Sequence, residues 1–579
     1  MQQILHVIVV GFHHKKGCQV EFAFPPLEGD AEAASEAAEK GEVALPAEWA
    51  SLPSLVLPDG AHNVEQDVVY FLLPSREEPG KTIFGISCYR QISSEVLLNR
   101  ADDVTRSTVQ KSVCVLSRVP LFGVLKAKLQ LITQAYFNER DFAKVGVLSQ
   151  MYGNLCQMFE GDLVDGQGAF MDISVRELVR MFRHRIVLLF KLILLERKVI
   201  FHIFPVQRLG DTLIALLSLF PKLLEEGLFY AAPALPAPSS VPAEDTLATR
   251  EEAEEARPED IEISFEAEEK EESNEDSTTD EEDPSNSVEE VTVPKETPCP
   301  PDPITEKDEY GFPLGLFTTG NLFHPYVGLS FLEPLRNPAV RAFTVGCTNA
   351  LFLQRKERFD VVVTLDDQGD GVVEISPLQP ELRRALTLTT ADLRFADYLI
   401  KNVEAIEDGS AGWQGGDEWC RDEFRAYLLS LAASARADLA QVSTDFGAPF
   451  LNSWRQTMNY KRWIDQRDRF GDLASVPPGH AFAGQLGLSD VKLRVEHSVG
   501  GSEQAKKALS ALSSTGKQLG ETGGRVRSNL TSWFRGVAGQ AGQAFGAVTG
   551  AGQGGGQGGA SSQGTNTPAT TPVSPAEEA

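Results

Sequence analysis

The 579-residue chain lacks every short signature of a self-contained catalytic site. There is no HExxH and no GxSxG. The GKT at 80–82 is not a phosphate-binding loop, because such a loop needs glycine five residues before Gly80 and Ser75 stands there. Pro79-Gly80 reads instead as a turn. The glycine run at 552–559 follows no strand and reads as a linker. Seven cysteines (Cys18, Cys88, Cys114, Cys156, Cys299, Cys347 and Cys420) include no CxxC pair. An odd, scattered set argues against zinc and against a disulfide framework, and for buried thiols in a reducing compartment. Nothing in the sequence calls for a cofactor or a metal. A basic excess is also missing. The formal charge is −29, from 53 Lys and Arg against 82 Asp and Glu. Residues 244–309 hold 27 of the acids and 5 of the bases, a balance of −22, so the remainder carries −29 + 22 = −7. With no basic face, nucleic acid is excluded as a partner.

Long uncharged apolar runs are absent too. Residues 186–204 come closest, but Lys191, Glu196, Arg197 and Lys198 interrupt them. Those charges cost roughly 12 kcal/mol together at a bilayer centre, against roughly 7 kcal/mol from the apolar side chains, so the stretch belongs to a protein core. Ile4–Val10 has no basic flank and reads as a strand rather than a signal peptide. The expected location is therefore cytoplasmic, where the sequon at Asn529 stays unmodified.

What the sequence does have is a strongly patterned centre, residues 175–224, which reads as helix, strand, helix. Ile186–Leu195 is apolar except for Lys191, so that helix is buried nearly all round. Val199–Phe204 is a short β-branched and aromatic run stopped by Pro205, as in a parallel strand covered on both faces. Leu213, Ile214, Leu216, Leu217 and Phe220 share one helical face, closed by Pro221.

The rest arranges itself around that centre. The length predicts two to four domains. Strand-like runs at 4–10, 18–24, 67–73, 82–89 and 112–116, then helical spacing from Lys126 to Phe159, make a first α+β lobe over 1–158. A central α/β lobe begins at 172–231 and resumes at 310–380, with strands expected over Ala342–Leu353, Phe359–Leu365 and Val372–Ile375. Between them, 232–309 is rich in Pro, Glu and Ser, nearly lacks aromatics, and reads as a disordered acidic insert. Residues 381–499 read as a helical lobe. Its helix through Leu393, Ala396 and Ile400 has Thr390 as N-cap and Asp392 in the first turn. Phe450, Trp454, Tyr460 and Trp463 form an aromatic cluster that packs this lobe. Residues 500–579 are a Gly-rich tail of low complexity.

Longer blocks carry a resemblance. LLERKVIF at 194–201 followed by SLFP at 218–221 resembles the central segment of DENN domains, membrane-traffic modules of which many exchange guanine nucleotide on Rab GTPases. VGFHHKKGCQVEF (10–22), LPDGAHN (57–63), FGISCYRQI (84–92), VQKSVCVLS (109–117), AKLQLITQAYF (127–137), TTADLRFADYL (389–399) and GGDEWCR (415–421) narrow it to the late-secretory AVL-nine branch of that superfamily. The likeness spans residue 5 to about 500. It implies a tripartite layout of longin-like N-terminal lobe, central DENN lobe and helical C-terminal lobe. It also implies a role in Golgi-to-surface and endosomal traffic, cell polarity and migration, with a Rab-like small GTPase as partner.

The missing catalytic residues suit that role. Exchange needs no acid, base or nucleophile, only tighter binding of the empty GTPase than of the loaded one. The family layout puts such contacts at the seam between residues 1–125 and 172–231. A non-catalytic effector or scaffold of the same fold is the alternative. Four further candidates stand on the residues. His13-His14-Lys15-Lys16 is a dense polar tip that either meets a partner or is a solvated turn; as a metal site it fails, since neighbouring histidines on a strand face opposite ways. Asp417, after the tight turn at Trp413–Gly416, reads as a helix cap. Ser273, Ser277 and Thr278 each have an acid three residues on and are phosphorylation candidates, against a plain spacer. Leu530, Trp533, Phe534, Val537 and Phe545 share one helical stripe that lies in a bilayer interface, docks on the protein's own core, or stays disordered.

Overall fold

The computed structural model describes residues 2–27, 43–99, 107–159, 169, 171–235, 300–407, 413–437, 444–466, 472–485 and 490. All lie within a compact unit spanning Met1–Leu512. Candidates at Ser273, Ser277, Thr278 and 530–545 fall outside the described residues.

Two five-stranded sheets organise this unit. The first has strands β1 (Ile4–His13), β2 (Gly17–Phe24), β3 (Gln66–Pro74), β4 (Thr82–Ser93) and β5 (Thr108–Ser117), in the order β2-β1-β5-β4-β3, all antiparallel. These are the five expected runs, each longer by a few residues. Val7–Val10, Val68–Leu73 and Ile83–Tyr89 are buried without alternation, so the sheet is covered on both faces. Helix α1 (Leu52–Val56) covers one, where the Ser87 hydroxyl donates to the Val56 carbonyl at 2.8 Å. Helix α2 (Phe122–Asn138) covers the other, with Phe122 edge-on to Phe84, and α3 (Gly146–Met158) packs on β1 beside it.

The second sheet has β6 (Lys198–His202), β7 (Asn321–His324), β8 (Ala342–Cys347), β9 (Val361–Leu365) and β10 (Gly371–Ile375), in the order β10-β9-β6-β8-β7. β6 runs parallel to both β8 and β9, β7 is parallel to β8, and only β10 is antiparallel. Val199, Ile200 and Phe201 are buried on both faces, as expected of a central parallel strand. Helix α6 (Val206–Leu217) covers one face so closely that a Cβ on Gly346 would come 2.9 Å from Leu209 and Leu213. Ile200, Phe343, Val345 and Val362 face the other way, onto Leu335, Phe352 and Phe359.

Helices α4 (Val175–Phe182) and α5 (Arg185–Leu194) precede β6. α7 (Pro380–Ala385), α8 (Thr390–Glu407), α9 (Asp417–Ala437), α10 (Ala448–Arg455) and α11 (Met458–Asp465) follow β10. Phe190 of α5 stacks on Phe220 at 4.2 Å and meets Phe424 and Tyr427 of α9. Phe450, Trp454, Tyr460 and Trp463 are buried against one another, as the sequence suggested. α5 is 10 residues long. Among the described residues no helix is long and apolar enough to cross a membrane.

Local geometry corrects several boundaries. The single helix expected before β6 is two, broken at Arg183, whose φ is 46°. The buried stripe runs through the break, so periodicity alone does not show it. α6 ends at Leu217, ahead of Pro221. β8 ends at Cys347 because the Asn349 side chain accepts from the Leu351 N–H (3.0 Å) and starts a 3-10 segment, Ala350–Arg358. The N-cap of α8 is Thr389 rather than Thr390. The Thr389 hydroxyl accepts from the Asp392 N–H (3.1 Å), and the Asp392 carboxylate accepts from the Thr389 N–H (2.8 Å), a reciprocal box. The acidic insert is shorter than its composition suggests. Ala232 is buried with its N–H on the Thr82 hydroxyl, and from Pro300 onward Ile304 is buried beside a Lys307–Asp302 ion pair at 2.7 Å.

Candidate functional site at the junction of the two sheets

The seam between residues 1–125 and 172–231 is a packed joint. Asp67 of β3 caps α6 from the neighbouring sheet: its carboxylate accepts from the Val206 N–H (3.1 Å) and the Gln207 N–H (2.8 Å). Burial pushes the Asp67 carboxyl above its ordinary value, although three backbone N–H donors oppose the shift. One helical turn on, Asp211 accepts from the Tyr70 hydroxyl (2.8 Å) and from the buried Lys126 ammonium (3.0 Å). β3, α2 and α6 thus share one carboxylate. Between these two acids, Gly210 lies so close that a Cβ there would stand 2.3 Å from the Tyr70 ring. Further along, the Thr82 N–H donates to the Phe229 carbonyl at 2.9 Å.

A second set of bonds closes the joint at the carboxyl ends of β6 and β8. The Asp59 N–H donates to the Tyr326 hydroxyl (2.8 Å), its carbonyl accepts from Thr348 (3.0 Å), and its carboxylate accepts from the Asn349 amide (3.2 Å). His202 at the end of β6 meets the Thr348 carbonyl at 3.1 Å, and burial lowers its pKa, so the ring is neutral near pH 7. The loop 57–63 of the first sheet is thereby tied onto the carboxyl edge of the second. This edge is where open α/β sheets place their binding sites. Exposed groups cluster on it. Phe204 is 41% exposed and lies where a Cβ on Gly60 would come 3.5 Å from its ring, Leu351 is 43% exposed two residues after Asn349, and His62 and Asn63 are exposed. The resulting surface takes residues from both sheets, includes the apolar Phe204 and Leu351, and is tied to both sheets by the Asp59 bonds.

A separate polar cluster has no access to solvent. The Lys191 ammonium donates to Asp392 (2.5 Å) and to the Phe446 carbonyl (2.9 Å), and both side chains are fully buried. Asp392 also accepts from the Tyr427 hydroxyl (2.7 Å) and meets His480 at 3.5 Å. Burial alone would raise the Asp392 carboxyl; Lys191 and His480 outweigh it and hold the carboxyl well below the usual range. The cluster ties α5, α8, α9 and the 480 region together, and all four side chains are buried, so its role is structural.

Other candidates resolve as follows. His13 ends β1, and its ring accepts from the Lys15 and Lys16 N–H groups at 3.2 and 3.1 Å. His13 and His14 stack at 4.8 Å instead of facing opposite ways, because the strand has already turned. Lys15 and Lys16 are exposed at this tip, and Cys18 just beyond it meets the Leu57 carbonyl of loop 57–63 at 3.9 Å. Asp417 caps α4 rather than its own helix, accepting from the Arg176 N–H (2.9 Å) and the Ser174 hydroxyl (3.0 Å). Cys88, Cys114, Cys347 and Cys420 are buried and unpaired, and burial, then the Asp59 charge, pushes the half-buried Cys18 thiol up to about 11. These thiols are inert packing groups. Among the described residues no group of His, Cys, Asp and Glu is placed to hold a metal ion.

Asp59, Asp67, Asp211, Lys126 and Lys191 were invisible as interacting residues in the sequence. The partners described above lie 85 to 290 residues away in the chain. Only the quoted blocks LPDGAHN and LLERKVIF hinted that both regions matter.

The sequence pattern of the family described as Transport protein Avl9 matches residues 4–435. The Schizosaccharomyces pombe protein named late secretory pathway protein avl9 is 27% identical over 485 residues, 80% of this chain and 87% of that protein. The Saccharomyces cerevisiae protein named late secretory pathway protein AVL9 is 26% identical over 542 residues, 85% of this chain and 62% of that protein. The present chain thus spans less than two thirds of the budding-yeast relative.

Proposed function

This chain belongs to the Avl9 family of transport proteins, and from that premise we propose that it serves the late secretory pathway by binding a Rab-like small GTPase. The relatives' names supply the pathway, and the DENN resemblance supplies the partner class. The observation that carries the site is the rigid joint. Asp59, Asp67 and Asp211 lock the two sheets together, so the surface around Phe204, Leu351 and loop 57–63 meets a partner as one unit. A preorganised surface loses little freedom on binding, and its affinity can be directed at one state of the partner. The chemistry proposed is exchange: the surface holds the nucleotide-free GTPase more tightly than the loaded one and so speeds GDP release. The tail stripe at Leu530, Trp533, Phe534, Val537 and Phe545 would add peripheral contact with late-secretory or recycling-endosome membranes from the cytoplasmic side.

Non-catalytic scaffolding is the second reading, since the same rigid surface can hold a loaded GTPase as well as an empty one. Capture of a GTPase panel, each member prepared empty, GDP-bound and GTP-bound, separates the two. Preference for an empty member supports exchange, preference for a GTP-bound member supports the effector role, and no capture of any member removes the GTPase from the account.

A further inference from the structure

At the opposite edge of the second sheet, roughly 20 Å from Phe204 by strand rise, the amino ends of β6, β8 and β9 surround a cavity of about 620 Å³. That size suits a small ligand. Three separated segments bring bases to its wall: Arg197 and Lys198 at the start of β6, Arg336 in the turn Pro334–Arg336, and Arg358 at the end of Ala350–Arg358. Two carboxylates join them, Glu357 and Asp360.

The charges are not matched within the protein. Both Asp360 oxygens are engaged, one by the Lys198 N–H (2.9 Å) and the other by the Gln379 amide (3.0 Å). Arg336 is engaged by Glu333 at 3.1 Å. Arg197 Nε and Arg358 Nη1 are buried and, among the described residues, have no hydrogen-bond partner. A guanidinium nitrogen taken from water without an acceptor is disfavoured, so Arg197 and Arg358 are the bases on this wall whose charge the protein itself leaves least satisfied. The floor is apolar, formed by Leu335, Phe343 and Phe359 of the sheet's own core, which strengthens any charge interaction above it.

We propose that this cavity binds a phosphate-monoester group, with Arg197 and Arg358 donating to its oxygens and Lys198 adding charge. A phosphate monoester brings close to two negative charges and three acceptor oxygens, which a carboxylate does not, and guanidinium forks match that geometry. The same group occurs on soluble phosphorylated metabolites and on phosphoinositide headgroups. Leu378 at the rim, 76% exposed, offers an apolar contact to a surface that presents the headgroup.

The test is calorimetric titration of the full chain with pyrophosphate and with inositol trisphosphate, alongside co-flotation with phosphatidylcholine vesicles with and without phosphatidylinositol phosphate. Saturable binding of inositol trisphosphate is expected. Arg197→Gln and Arg358→Gln should each weaken it about tenfold or more. Glu357→Gln should tighten it several-fold by removing a like charge, a gain that misfolding cannot imitate. Flotation that requires the phosphoinositide and is lost with Arg358→Gln assigns the lipid source; soluble binding without flotation assigns the metabolite source. No binding of any probe at millimolar concentration overturns the proposal, as does binding indifferent to Arg197→Gln, Arg358→Gln and Glu357→Gln.

Discussion

Replacing Asp392 with asparagine keeps the shape and removes the charge, and it tests how the helical region is held. Lys191 is fully buried, and its ammonium has two oxygen acceptors, Asp392 at 2.5 Å and the Phe446 carbonyl at 2.9 Å, with the Phe450 ring 4.9 Å away. In Asp392→Asn the amide keeps one acceptor oxygen, while its NH₂ must face one of two pairs of former partners, Lys191 with the Thr389 N–H or the Tyr427 hydroxyl with His480. The ammonium is left without a counter-charge. Breaking a buried pair from one side costs about 3 to 5 kcal/mol, a large share of the roughly 5 to 15 kcal/mol that holds a domain together. Lys191→Met should cost less, because the carboxylate keeps the Thr389 N–H, Tyr427 and His480. The double variant should be less destabilised than the sum of the singles by more than about 1 kcal/mol. The pair also sets a pH dependence. The Asp392 carboxyl is depressed in the folded state, so its stabilisation is present above the ordinary carboxylate range, about 4, and is lost as pH falls through and below it. Urea unfolding followed by tryptophan fluorescence reads all of this, since Trp454 and Trp463 are buried in the same region. A cost below about 1 kcal/mol for Asp392→Asn, or full additivity of the two changes, would refute the reasoning.

Three further changes probe the joint and its surroundings. Gly210→Ala drives a methyl into the Tyr70 ring and should cost about 1 to 3 kcal/mol, seen as a lower melting temperature. Asp67→Ala uncaps α6 and should cost about 0.5 to 2 kcal/mol by the same assay, more if the two sheets loosen as well. Glu225 and Glu423 have carboxyls pushed up to about 7, chiefly by burial. Their folded proton affinity exceeds the unfolded one, so they weaken the fold as pH rises from about 4.5 through 7. Glu423→Gln should therefore raise the melting temperature at pH 8 and leave it nearly unchanged at pH 5.

The strands and the α5–β6–α6 core were legible because burial there repeats at fixed spacing. Val199–Phe201 could hardly be anything but a doubly covered strand, and the apolar run of α5 could only be interior. What stayed hidden was set by contacts across the chain. The break at Arg183 interrupts the backbone without interrupting the apolar stripe. Thr389 and Thr390 are chemically alike, and only the reciprocal bonds with Asp392 choose between them. Asp417 looked like the cap of its own helix and serves α4, some 240 residues earlier in the chain. The joint itself rests on Asp59, Asp67 and Asp211, three ordinary surface-type residues until the sheets meet.

The measurement that bears most directly on the account is GDP release from fluorescently loaded Rab-like GTPases with the full chain, compared with its Phe204→Asp variant. Phe204 is exposed, so the variant should melt like the parent. The account predicts that one GTPase releases GDP orders of magnitude faster with the parent, and that Phe204→Asp lowers this about tenfold or more. Acceleration that Phe204→Asp leaves intact would contradict the placement of the site at the joint, and no acceleration of any member would contradict exchange itself.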